Sequence, residues 1–108
     1  MKSSEFLKKA KALIDTPSKW TTGAWAKNAA GTHVMPENPG SVCFCTTGAM
    51  FRIEHDLNLH DVTLNKAVEY VKGAMNTRHI PDFNDSHTHA EVMAAWENAI
   101  STAESKGD

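Results

Sequence analysis

Four stretches of this chain repeat their apolar residues every third or fourth position, which restricts the fold more than any other feature. The first runs over residues 4–15, with Phe6, Leu7, Ala10, Leu13 and Ile14 on one face and lysines on the rest. Ser3 or Ser4 can accept from the open first turn, Glu5 suits the positive end of the dipole, and Pro17 stops the helix. The second runs over residues 42–54 behind a Ser41 cap. It carries one stripe of Val42, Cys45, Ala49 and Ile53 and another of Phe44, Gly48 and Phe51, the mark of a core helix. Gly48 inside it costs about 1 kcal/mol against alanine, which predicts a close neighbour. The third covers 63–76, capped by Asp61 or Thr63, with Leu64, Val68, Val71 and Met75 on one face and Asn76-Thr77 at its end. The fourth covers 88–104, opened by a Thr88/Glu91 capping box and burying Val92, Trp96, Ala99 and Ala103. The tail Ser105–Asp108 is expected to fray.

Residues 20–35 break the helical period. Trp25–Lys27 against Thr32–Val34, about a turn at Asn28–Gly31, reads as a short β-hairpin leaning on a helix through Trp20 and Trp25. Pro36–Ser41 reads as a loop, and Ile80–Asp85 as a turn-rich connector with Pro81 forcing Ile80 extended. The expected fold is therefore mainly α, with a small α+β arrangement as the alternative. It has about four helices packed antiparallel, with the hairpin after the first, in a single domain spanning 1–108.

At 108 residues, 41% hydrophobic and 22% charged, the chain has material for one core. A net charge of −2 argues against a protein built to coat nucleic acid. No apolar run approaches the ~20 residues of a membrane helix, and the first residues lack a signal-type apolar segment. A reducing cytoplasm and no membrane partner are expected. Cys43 and Cys45, one residue apart, suit free thiols better than a strained disulfide. Charge is uneven: residues 1–30 carry a net +4 and residues 31–108 a net −6. Complementary packing of the two ends explains this more simply than a basic docking face on the first helix.

Cys45-Thr46-Thr47-Gly48-Ala49-Met50, read with Ile80-Pro81-Asp82-Phe83-Asn84-Asp85 and the closing Glu91-Val92…Ala99-Ile100, resembles a family of short bacterial and phage proteins known only as a domain of unknown function. Trp20…Gly23-Ala24-Trp25-Ala26 and Ala30-Gly31 fit the same pattern. The chain departs from it at Phe44 and Phe83, where the family tends to tryptophan, and at Thr21, where it often has cysteine. The resemblance implies a fold across nearly the whole chain and no activity.

Three constellations bear on chemistry. Cys45 near a helix start, with His87 or His89 as base and Asn84 or Asp85 as orienting group, has the residue types of a cysteine-dependent enzyme; Cys45, His89 and Asp85 would carry it. The simpler reading puts Cys45 in the core and Asn84-Asp85 at the start of the last helix. Cys43, Cys45, His87 and His89 supply zinc-binding residue types, but Cys-x-Cys is poor spacing, so neither metal nor cofactor is expected. Finally, Trp20, Trp25, Phe44 and Phe83 could line a pocket for a flat ligand, with Lys27 or Arg78 (or Lys19) holding an anionic group; their simpler role is core.

These readings converge on a small soluble binding or regulatory module without catalytic activity. Its site would be the tryptophan hairpin and adjoining loop, against the N-terminal end of the Cys45 helix. The partner would be a small anionic or aromatic molecule or a protein surface. The alternatives are the cysteine-dependent enzyme and, from the family's phage members, an inhibitor or sponge of a host defence system. The last predicts a homo-oligomer with ligand sites between subunits.

Overall fold

In the computed structural model, which describes residues 1–108, five helices surround one apolar core and a three-stranded antiparallel sheet covers one end. The helices are α1 (Ser3–Ala12), α2 (Thr46–Leu57), α3 (Thr63–Met75), α4 (Ile80–Ser86) and α5 (His89–Ser105). The strands are β1 (Ala26–Asn28), β2 (His33–Val34) and β3 (Ser41–Phe44), in the order β2-β1-β3. A mainly α fold with a small sheet matches the expectation; the helix count is five rather than four.

Helix α5 packs on α1 and α3, and α1 also meets α2. Phe6, Leu7, Ile14, Met50, Val71, Val92 and Trp96 are fully enclosed among them. Lys8 pairs with Glu104 and Lys11 with Glu97, each at 3.0 Å, so the basic first helix lies against acidic positions of the last. That is the complementary packing inferred from the charge asymmetry.

Local chemistry explains most boundaries. Thr88 and Glu91 form the reciprocal capping box at the start of α5. Asn58 and Asn76 end α2 and α3 in the left-handed conformation, which asparagine tolerates better than most residues. Helix α1 closes at Ala12, short of residue 15, as Leu13 and Ile14 tighten onto Ala10 and Lys11 before a 3₁₀ turn at Pro17–Lys19. Lys2, rather than a serine, is its N-cap, without a side-chain bond. On α3 the enclosed positions are Thr63, Ala67, Val71 and Met75, while Leu64 and Val68 are only partly covered.

Three expectations are corrected. Ser41–Phe44 is a strand instead of the first turn of the core helix: Phe44 points into the core, Val42 stands 51% exposed, and Ala26 pairs with Phe44 and Lys27 with Cys43. A short apolar run of this kind fits either period. Helix α2 therefore starts at Thr46, with Cys45 as N-cap, and continues to Leu57. Second, Ile80–Ser86 is a helix, not a connector, and Asn84-Asp85 lie inside it rather than at the start of α5. Pro81 sits in its first turn, where an absent N–H costs nothing, and the extended residue is His79. Third, the tail is anchored. Asp108 accepts from the Ser3 amide (3.1 Å) and hydroxyl (2.9 Å) and from Tyr70 (3.0 Å), and pairs with Lys66 at 3.2 Å.

Candidate functional site

The site is organised by an asparagine. Asn84 is fully buried, and its Oδ1 accepts from the Trp20 indole (2.9 Å), the Thr46 amide (3.0 Å) and the Thr46 hydroxyl (2.9 Å). Its Nδ2 donates to the Thr21 carbonyl (3.1 Å) and to Asp85 Oδ1 (3.0 Å). Trp96 Nε1 donates to the Thr46 hydroxyl from the other side at 3.3 Å. No buried side-chain polar atom in the chain lacks a partner. The network joins α4, the start of α2, α5 and the segment leading to β1, and a satisfied buried network of this sort specifies one arrangement.

Around this hub the chain places Trp25. Its carbonyl accepts from the Cys45 amide at 3.1 Å, and its backbone lies directly on Gly48, where any Cβ would collide with the Trp25 carbonyl. Gly48 thus has the close neighbour its position predicted. The indole packs edge-on against Phe51, with centroids 5.2 Å apart, and stays 43% exposed. A half-exposed tryptophan on a clamped backbone is a rigid apolar platform.

Trp25 forms one wall of an open groove of about 500 Å³, within the range of ligand sites. Gly23, Ala24, His33, Val34, Met35, Cys45, Pro81 and Asp85 complete it. Asp85 Oδ1 also accepts from the Gly23 amide at 3.1 Å, tying the approach to β1 onto α4. The loop after β2 is held by Arg52, which donates to the Pro36 (3.0 Å) and Asn38 (3.2 Å) carbonyls while pairing with Asp56. The groove combines apolar walls with a carboxylate, an imidazole and a thiol.

That thiol is subdued. Cys45 is 3% exposed, and its Sγ accepts from the Gly48 amide at 3.3 Å. Burial pushes its pKa up and nearby Asp85 adds to this, outweighing the helix-start amides that favour thiolate. Neither proposed histidine turns to it. His87 stacks on Phe83 at 3.6 Å between centroids and bonds the Phe83 carbonyl, and His89 Nε2 bonds the Ile14 carbonyl at 2.7 Å. The histidine that does share the groove, His33, carried no sequence signal. No three His, Cys, Asp or Glu side chains are grouped to hold a metal ion, so Cys43, Cys45, His87 and His89 make no zinc site.

The six proposed ligand residues do not line one pocket. Trp20 and Phe44 are packed inward and bridged to each other, and Phe83 lies beneath His87. Lys27 stands in the sheet opposite Cys43. Trp25 alone of the six lines the groove, and with Arg78 it lines a second cleft. Asn84, weighed only as an orienting group or a helix start, proves to be the centre of the network. The sequence signal it did carry was its place in the Phe83-Asn84-Asp85 run on which the family resemblance rests.

Residues 1–102 match a family of unknown function, DUF6197. The chain belongs to that family. No curated protein and no solved structure matches it. The DUF6197 chain has no helix long and apolar enough to cross a membrane.

Proposed function

We propose that this DUF6197 protein is a non-catalytic binding module whose ligand seats in the groove beside Trp25. The observation that carries the reading is the clamped Trp25 platform facing Asp85 across a preformed groove. A ligand suited to it has an apolar or aromatic body for Trp25, Val34 and Met35. It also has a cationic or hydrogen-bond-donating end for Asp85, the groove's one carboxylate. An anionic ligand, expected from Lys27 and Arg78, does not suit this groove, because neither cation reaches it. The free thiols Cys43 and Cys45 suit a reducing cytoplasm. The raised Cys45 pKa and its separation from His87 and His89 favour binding over cysteine catalysis.

The test is a ¹⁵N-labelled titration with 2-naphthylmethylamine, a flat cation. Amide shifts at Gly23, Ala24, His33 and Val34 are expected, lost in Trp25→Ala and weakened about tenfold in Asp85→Asn, which keeps an acceptor for Gly23 but removes the charge. An amine that binds Asp85→Asn as well as the natural chain rules the reading out.

A further inference from the structure

A second cleft opens on the other side of Trp25, between α2, α3 and the start of α4, with a volume of about 320 Å³. It shares Trp25 and Pro81 with the groove and reverses its electrostatics. The floor is apolar: Met50, Phe51, Val68 and Ile80, with the Trp25 indole at one end. The rim carries Lys72, Arg78 and His79 and no carboxylate.

The state of those three cations matters. Arg78 is exposed and makes no hydrogen bond or ion pair within the chain. Lys72 reaches Glu69 only at 3.8 Å, one turn back on an exposed helix face, a contact worth little. His79 is engaged by Asp82 at 3.0 Å, which neutralises it when it is protonated. Two cations are thus left facing the cleft, over a floor with no polar competitor beyond Thr47. A guanidinium without an internal partner, beside a preformed apolar slot, matches a planar oxyanion attached to an apolar body.

We propose that this cleft binds a small amphipathic anion, an aromatic carboxylate or its phosphate or sulfonate equivalent. The ring lies on Phe51, Val68 and Trp25, and the anionic end is held by Arg78 and Lys72. The site does not depend on the groove reading, since Arg78, Lys72 and Phe51 take no part in lining the groove. Trp25 would stand between a site for cations and a site for anions.

The probe is 2-naphthoate titrated into the ¹⁵N-labelled chain, with neutral 2-naphthamide and inorganic phosphate as comparisons. Saturable shifts are expected at Thr47, Phe51 and the Arg78 side chain, with the amide and phosphate each binding about tenfold or more weaker. Arg78→Gln should weaken naphthoate about tenfold, and Lys27→Gln, in the sheet, should leave it unchanged. Since Arg78 makes no hydrogen bond or ion pair within the chain, its replacement should leave the fold intact, checked by the unchanged spectrum of the free variant. The proposal is overturned by an absence of shifts, by shifts confined to Gly23 and His33, by naphthoate binding unaffected in Arg78→Gln, or by phosphate alone binding as well.

Discussion

Removing the Asn84 side chain should cost this protein a large part of its stability, and the hydrogen-bond geometry sets the size. In Asn84→Ala the fully buried Thr46 amide loses its acceptor, the nearly buried Thr21 carbonyl loses its donor, and the Trp20 indole loses its partner. The Thr46 hydroxyl still accepts from Trp96. Leaving a buried polar group unsatisfied costs about 1–3 kcal/mol. Two backbone groups and an indole, less whatever an entering water restores, bring the loss to about 4 kcal/mol. A chain of this length has only about 5–15 kcal/mol in total. At a urea dependence of about 2 kcal/mol per molar, the midpoint falls by about 2 M with an unchanged slope. Asn84→Asp separates hydrogen bonding from volume. The carboxylate keeps the acceptor role but cannot donate to Thr21, and it sits beside Asp85. Its folded pKa then rises above the unfolded value of about 3.9, so the variant's deficit is small below pH ~4 and grows as pH rises toward 7. A midpoint shift under about 0.5 M for Asn84→Ala, or an Asn84→Asp deficit that does not grow with pH, would refute the argument.

Other predictions follow from single contacts. Gly48→Ala, normally a gain of up to ~1 kcal/mol in a helix, should instead destabilise by about 1–3 kcal/mol, because the new Cβ meets the Trp25 carbonyl; a thermal melt reads the sign. The Asp108 carboxyl is held well below the usual carboxylate range, first by the Ser3 amide. Its contribution is therefore present above the unfolded pKa of ~3.9 and is lost as pH falls below it, so Asp108→Asn should flatten the acid side of the stability–pH curve; Asp61 and Glu91, also lowered, leave a residual slope. In native protein at neutral pH, iodoacetamide should modify half-buried Cys43 well before buried Cys45, read by peptide mass analysis; prompt alkylation of Cys45 would revive the cysteine-enzyme reading.

What was legible in the sequence is what local chemistry decides. The Thr88/Glu91 capping box is a contact between neighbours, and the hairpin follows from Asn28–Gly31 and the tryptophans beside it. The strand Ser41–Phe44 was hidden because Val42, Cys45 and Ala49 mimic a helical stripe across a strand–helix junction. Helix α4 was hidden for the opposite reason: proline, aspartates and asparagine are turn formers, and tertiary bonds to Asn84 and Asp85 hold them helical. In the candidate site, Trp25, Cys45 and Asp85 stand out by residue type. That Trp25 faces outward while Trp20 and Phe44 face inward depends on the sheet register, which the hydropathy pattern of so short a sheet leaves open.

The three tryptophans have been sorted by the fold into different surroundings. Trp96 is sealed, with its N–H on Thr46, and Trp20 is half-buried, with its N–H on Asn84. Trp25 is 43% exposed and makes no indole hydrogen bond within the chain. Its emission should therefore lie furthest to the red and be the first removed by acrylamide, while the other two report on the interior. The residue that walls both clefts is also the most exposed of the three tryptophans, so occupancy of either cleft can be followed by light in the unlabelled protein.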